Sequence, residues 1–162
     1  LPTPRAPRSP RLPCRPNVIV SATHTVFVAR PPDVVWNYTQ DPARRAEWDP
    51  SIVHAHALPS DALPRVRIRA VGGMEGTLEY LLYDAPHRTS VSMADVRSPL
   101  LSGGGGSWSY TARDGGTEWT ATNSLRFRNV VLYWILGWIV RHALRRDTVR
   151  GLESVRTRLE KP

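Results

Sequence analysis

Residues 31–48 read Pro31-Pro32-Asp33-Val34-Val35-Trp36-Asn37-Tyr38-Thr39-Gln40-Asp41-Pro42-Ala43-Arg44-Arg45-Ala46-Glu47-Trp48. Proline pre-sets a helical φ at the first position and Asp33 suits the N–H groups of a first turn, so a helix opens at Pro32. Val35, Trp36, Tyr38 and Thr39 give it a mostly apolar face. Asp41 then caps a second short helix with Pro42 at its first position, closing at Trp48. Upstream, Ala22 to Arg30 sets His24, Val26 and Val28 against Thr25, Phe27 and Ala29, the period of a half-buried strand. Asp49-Pro50 turns the chain downstream.

Working outward, Ile52 to Leu58 predicts a strand, followed by a turn at Pro59-Ser60-Asp61. Arg65 to Val71 is the cleanest alternation, with Val66, Ile68 and Ala70 inward and three arginines towards water. Gly72-Gly73 predicts a hairpin turn. Glu75 to Asp84 and Arg88 to Val96 follow as strands around Pro86, and the glycine-rich Ser102 to Gly106 reads as a flexible loop. Ser107 to Arg113 and Thr117 to Arg128 form a hairpin across Asp114-Gly115-Gly116. From Val130 to Glu160 the spacing is helical, with Leu144, Thr148, Gly151, Leu152, Val155 and Leu159 in one stripe. The order implies an α+β fold in which a sheet grips a long C-terminal helix.

The chain has 162 residues, one domain's worth and enough for a real core. Its net charge of +8 is unevenly placed. Arg5, Arg8, Arg11 and Arg15 lie in the first 17 residues without an acid, seven bases face three acids after residue 140, and the stretch between balances. No zinc-finger spacing or RNA-binding aromatic motif accompanies the charge, so nucleic acid is not an expected partner. Cys14 is the sole cysteine, which excludes an internal disulfide and fits a reducing cytoplasm. Residues 1–19, rich in proline and arginine and without an apolar signal core, are expected as a disordered arm before a domain over 20–162.

With these elements in place, the chain resembles the SRPBCC (START-like, helix-grip) superfamily, most closely its bacterial polyketide cyclase/dehydrase-like members. The resemblance covers roughly residues 20–161. It rests on Ala29-Arg30-Pro31-Pro32-Asp33-Val34-Val35-Trp36 through Asp41-Pro42 to Glu47-Trp48, with Asp114-Gly115-Gly116-Thr117 in support. It implies a seven-stranded antiparallel sheet wrapped around the last helix, two short helices after the first strand, and a ligand cavity between sheet and helix. Members include aromatase/cyclases, lipid-transfer proteins and carriers of hydrophobic hormones, so the fold does not choose among functions. Cyclase members often use a pocket arginine. Arg97, Arg126 and Arg128 are the nearest here, although alternation turns Arg126 and Arg128 outward.

Alternation places His24, Val26, Val28, Val66, Ile68, Leu78, Tyr80, Leu82, Trp108, Tyr110, Trp119, Asn123, Leu125 and Phe127 inward. An apolar wall with a few polar groups is the usual form of a small-molecule site. The leading expectation is therefore a hydrophobic ligand, polyketide-, lipid- or sterol-like. The alternative is aldol cyclisation and dehydration, with His24, Tyr80 or Tyr110 as acid or base. A lipid-transfer or membrane-surface module is the third reading.

Trp134 and Trp138, four apart on the last helix, need a partner that one sheet cannot supply. Covering the cavity mouth as ligand contacts, pairing in a homodimer, or weak contact with a membrane surface are the roles open to them, the first two preferred. Val130 to Val140 is apolar all round but too short to span a bilayer. No cofactor is expected. His54 and His56 share a strand face without an assignable third ligand, so no metal is expected either. The glycine run lacks the Gly-Lys-Ser/Thr of a phosphate loop, and the acceptor-like Asn37-Tyr38-Thr39 sits inside a predicted helix.

Overall fold

The computed structural model describes residues 18–161. The expected arm therefore lies outside the described residues except for Val18 and Ile19, and Ile19 already belongs to the first strand. That strand, β1 (Ile19–Val28), is followed by α1 (Pro32–Gln40), a 3-10 turn (Pro42–Arg44) and α2 (Arg45–Trp48). Six strands come next: β2 (Ile52–Leu58), β3 (Arg65–Ala70), β4 (Glu75–Asp84), β5 (Arg88–Arg97), β6 (Leu101–Arg113) and β7 (Gly116–Phe127). The chain ends in α3 (Val130–Glu160).

All seven strands form one antiparallel sheet in the order β1-β7-β6-β5-β4-β3-β2. The meander carries β2 to β7, and β1 closes beside β7. The short helices must therefore carry the chain from one edge strand to the other, across the sheet. α3 packs mainly on β1 and β7. This is the helix-grip arrangement.

Local chemistry sets the boundaries. Pro32 is the first residue of α1, and the Asp41 carboxylate accepts from the Ala43 N–H at 2.9 Å. Asn129 caps α3 by accepting from the Leu132 N–H at 2.9 Å. At the other end Arg30 Nε donates to the Leu159 carbonyl at 2.8 Å, tying the last turn of α3 to the end of β1. Asp114 and Gly115 both have positive φ, 35° and 81°, as a two-residue hairpin between twisted strands requires.

The glycine segment differs from expectation. Gly103 to Gly106 is not a loop but the first half of β6. The physical reason is close backbone approach. A Cβ on Gly104 would lie 2.6 Å from the Ser124 carbonyl oxygen, and one on Gly105 would lie 2.6 Å from that of Val91. Neighbouring strands crowd β6 from both sides, so side chains are excluded while the ladder continues.

Two apolar clusters make the core. The larger joins Val26, Val28, Val35, Trp36, Trp48, Trp108, Tyr110 and Trp119 to Leu152 and Val155 of α3. The smaller joins Val20, Leu101 and Phe127 to half-buried Leu125, Tyr133, Leu136, Val140 and Leu144, under the first half of α3.

Candidate functional site

A buried polar chain crosses from β4 to β6 through α1. Tyr80 O–H donates to Gln40 Oε1 at 2.9 Å, and Gln40 Nε2 donates to the Tyr110 oxygen at 2.8 Å. Tyr110 and Thr39 Oγ1 are 2.7 Å apart, and the Thr39 hydroxyl lies 2.9 Å from the Val35 carbonyl. A carbonyl can only accept, so Thr39 gives its proton to Val35 and Tyr110 must donate to Thr39. Each hydroxyl proton in the chain is thereby committed. Burial pushes the Tyr110 hydroxyl far above the usual tyrosine range, with the hydrogen bond from Gln40 and the Arg45 charge opposing the rise. Burial likewise raises Tyr80, with the Arg45 charge opposing it.

Arg45 is the cation nearest this chain. It is buried on α2, with Nε 3.2 Å from Asp49 Oδ2. Its guanidinium lies over the Trp48 ring at 4.5 Å and the Trp108 ring at 4.9 Å. Stacking on two indoles and pairing with one carboxylate together offset the cost of removing the charge from water. Thr39, Gln40, Arg45, Val66, Leu78 and Tyr80 line a void of about 10 Å³. That is room for about one water, whereas ligand pockets run to roughly 300 Å³ or more.

Aromatic packing fills the rest of this region. Trp36 meets Tyr110 edge-on with ring centroids 5.1 Å apart, Tyr110 stacks on Trp119 at 5.9 Å, and Trp119 meets Trp48 at 5.6 Å. Beneath the short helices, the expected ligand cavity between sheet and α3 is thus replaced by a packed core. Burial is less complete further along the sheet, in a seam between β7 and the first half of α3. There Leu125 of β7 and Leu136, Val140 and Leu144 of α3 are only half-buried. Asn123 Nδ2 donates to Thr148 Oγ1 across the seam's inner end, at 3.1 Å.

The anticipated inward residues divide accordingly. Val26, Val28, Val66, Ile68, Leu78, Tyr80, Trp108, Tyr110, Trp119 and Phe127 are buried, while Asn123 and Leu125 border the seam. Leu82 is a correction: it is exposed. A bulge between Tyr80 and Leu82 inserts Leu81 into the β4–β5 pairing and interrupts the alternation, leaving Leu81, Leu82 and Tyr83 all exposed. The Tyr83 ring still reaches the core edge, 5.0 Å from Trp36 and 5.3 Å from Tyr80.

His24 stands apart from Tyr80, since β1 and β4 are separated by three strands. Its Nε2 is buried without a hydrogen-bond partner, 3.9 Å from Glu153 Oε1 on α3. Trp134 and Trp138 are 77% and 72% exposed, so they line neither the void nor the seam. Arg97, Arg126 and Arg128 are exposed as well. His54 and His56 project to solvent, and no cluster of three metal-ligating side chains exists among the described residues.

Sequence reading missed Arg45, Gln40 and Thr39. The one local trace of Arg45's burial was its spacing, with Trp48 and Asp49 three and four residues on, one helical turn away.

Solved structures share this arrangement at low sequence identity. TTHA0849 from Thermus thermophilus matches with a TM-score of 0.74 and 14% identity, covering 86% of this chain and 96% of its own. The Zhui aromatase/cyclase from Streptomyces sp. R1128 matches with a TM-score of 0.71 and 20% identity, over 88% and 94%. A START superfamily protein from Mycobacterium smegmatis gives 0.67 and 16%, over 86% and 97%. No curated protein matches the sequence. At these identities the structures speak for the fold alone, but the sequence itself matches one family over residues 20–160, from the first strand to the end of α3. The chain belongs to that family, described as polyketide cyclase / dehydrase and lipid transport.

Proposed function

We propose that this protein binds a hydrophobic small molecule of polyketide, lipid or sterol type, admitted through the seam between the first half of α3 and strands β6 and β7. The observation that carries the reading is the seam itself. Apolar side chains on facing elements stay half-buried there, while the neighbouring core is closed. Membership of a family described by cyclase, dehydrase and lipid transport agrees with the reading.

The test combines native mass spectrometry of the protein from its host with a thermal-shift screen of polycyclic and acyl-chain compounds. A co-purified mass or a saturable rise in Tm is expected, lost in Val140→Trp, which fills the seam. Absence of both in the unaltered protein would sink the proposal.

One observation favours a second, catalytic reading, in which a polyketide-like substrate undergoes aldol cyclisation and dehydration. The Arg45 guanidinium and Tyr80 hydroxyl line the same void, and they would polarise a ketone if the short helices opened to admit it and Tyr80 turned its O–H from Gln40 to the substrate. Arg45→Met and Tyr80→Phe should then each abolish turnover of an assayed polyketide. Unchanged rates in both would remove this reading.

A further inference from the structure

The first half of α3 carries an apolar face turned away from the sheet. Val131, Trp134, Ile135, Trp138 and Ile139 are all exposed, at spacings that place them on one side of the helix. Large exposed apolar patches mark surfaces that meet something. Here the surrounding charge says what. Arg128 is exposed just before the helix, where it donates to the Ser98 and Leu101 carbonyls, and Arg141, Arg145 and Arg146 are exposed in the turns after the patch, Arg146 pairing with Asp147 at 2.9 Å. No acid occurs between Glu118 and Asp147.

This bracketing discriminates among occupants. A second copy would set its own arginines against these in either orientation, because cations flank both ends of the patch. Residues 1–17 of the same chain carry four arginines and no acid, and would be repelled likewise. An anionic bilayer surface fits on both counts. Tryptophan sits favourably at the level of lipid headgroups, isoleucine and valine enter the acyl boundary, and each flanking arginine meets negative headgroups. The helix is not long and apolar enough to cross the membrane. We infer that α3 docks the protein in the plane of an anionic membrane surface, through Trp134 and Trp138 with Arg141, Arg145 and Arg146 beside them.

The inference does not depend on whether the seam takes a ligand. It is tested with the full chain by flotation with equimolar phosphatidylcholine/phosphatidylglycerol vesicles and with phosphatidylcholine vesicles alone. The protein should float with the anionic vesicles, less so at high salt and weakly with the neutral ones. Four of the six tryptophans, Trp36, Trp48, Trp108 and Trp119, are buried. Brominated lipid should therefore quench only the Trp134 and Trp138 fraction of the emission. The double substitution Trp134→Ser/Trp138→Ser should weaken binding roughly tenfold or more while leaving Tm unchanged, since both side chains are in solvent. Arg141→Gln/Arg145→Gln/Arg146→Gln should abolish the preference for anionic vesicles. Three results would overturn the inference: no flotation with anionic vesicles, equal flotation of the tryptophan double variant (which would transfer the binding to the basic N-terminal residues), or a dimer that this variant dissociates.

Discussion

Tyr110 carries both the packing and the polar order of the core. Its ring stacks on Trp119, and its hydroxyl takes a proton from Gln40 while giving one to Thr39. Tyr110→Phe keeps the ring but strands two buried partners, which costs about 1–3 kcal/mol of stability. Urea unfolding should show the loss as a lower midpoint with an unchanged slope, and a midpoint equal to the parent's would mean that the chain from Tyr80 to Val35 contributes nothing. The same substitution should leave any ligand-induced rise in Tm intact, because the Tyr110 hydroxyl is committed within the core. Neither this residue's closure nor the burial of Arg45 was legible in the sequence. Both depend on which face of α1 and α2 meets β4 and β6, contacts between residues about 40 to 70 apart in the chain. Alternation did place Tyr80 and Tyr110 inward, and that part holds.

At the scale of elements, punctuation was readable where its cause is local. Pro32 at the start of α1, Asp41 as a cap and Asp114-Gly115 in the hairpin each act within a few residues. The glycine run from Gly103 to Gly106 was not readable, because its cause lies in the adjacent strands. A pair of substitutions separates the two meanings of glycine here. Gly105→Ala drives a methyl against the Val91 carbonyl, whereas a Cβ on Gly103 meets nothing closer than the Met93 carbonyl oxygen at 3.9 Å. Gly105→Ala should therefore cost about 1–3 kcal/mol through overpacking. Gly103→Ala should be neutral or stabilise by up to about 1 kcal/mol, through reduced freedom of the unfolded chain. Thermal unfolding of the two variants decides it: equal Tm values would fit a flexible loop and contradict a crowded strand. The exposure of Leu82 is the same lesson in another form, since a bulge is set by the partner strand and leaves no periodic mark on its own.

Across the whole molecule, charge and burial combine into a prediction about alkaline pH. Of the 22 basic side chains only Lys161 is a lysine, and arginine keeps its charge above pH 12. The cationic character therefore hardly changes between pH 9 and pH 11, and the tyrosines dominate titration in that interval. Burial raises Tyr110, Tyr80 and Tyr38 above their ordinary value, with the Glu47 carboxylate adding to the rise at Tyr38. The unfolded chain then loses these protons from about pH 10 upward while the folded chain retains them. With a raised folded pKa, the stabilisation is complete below about pH 10 and is lost as pH climbs beyond it. Each such group removes at most about 1.4 kcal/mol per pH unit in that range. Urea midpoints measured from about pH 8 to pH 11 should fall steeply in the upper part of the range. Tyr110→Phe, although less stable at neutral pH, should show a shallower alkaline fall because one raised group is gone. Parallel curves for the two proteins would place the alkaline loss elsewhere and refute the assignment to the buried tyrosines.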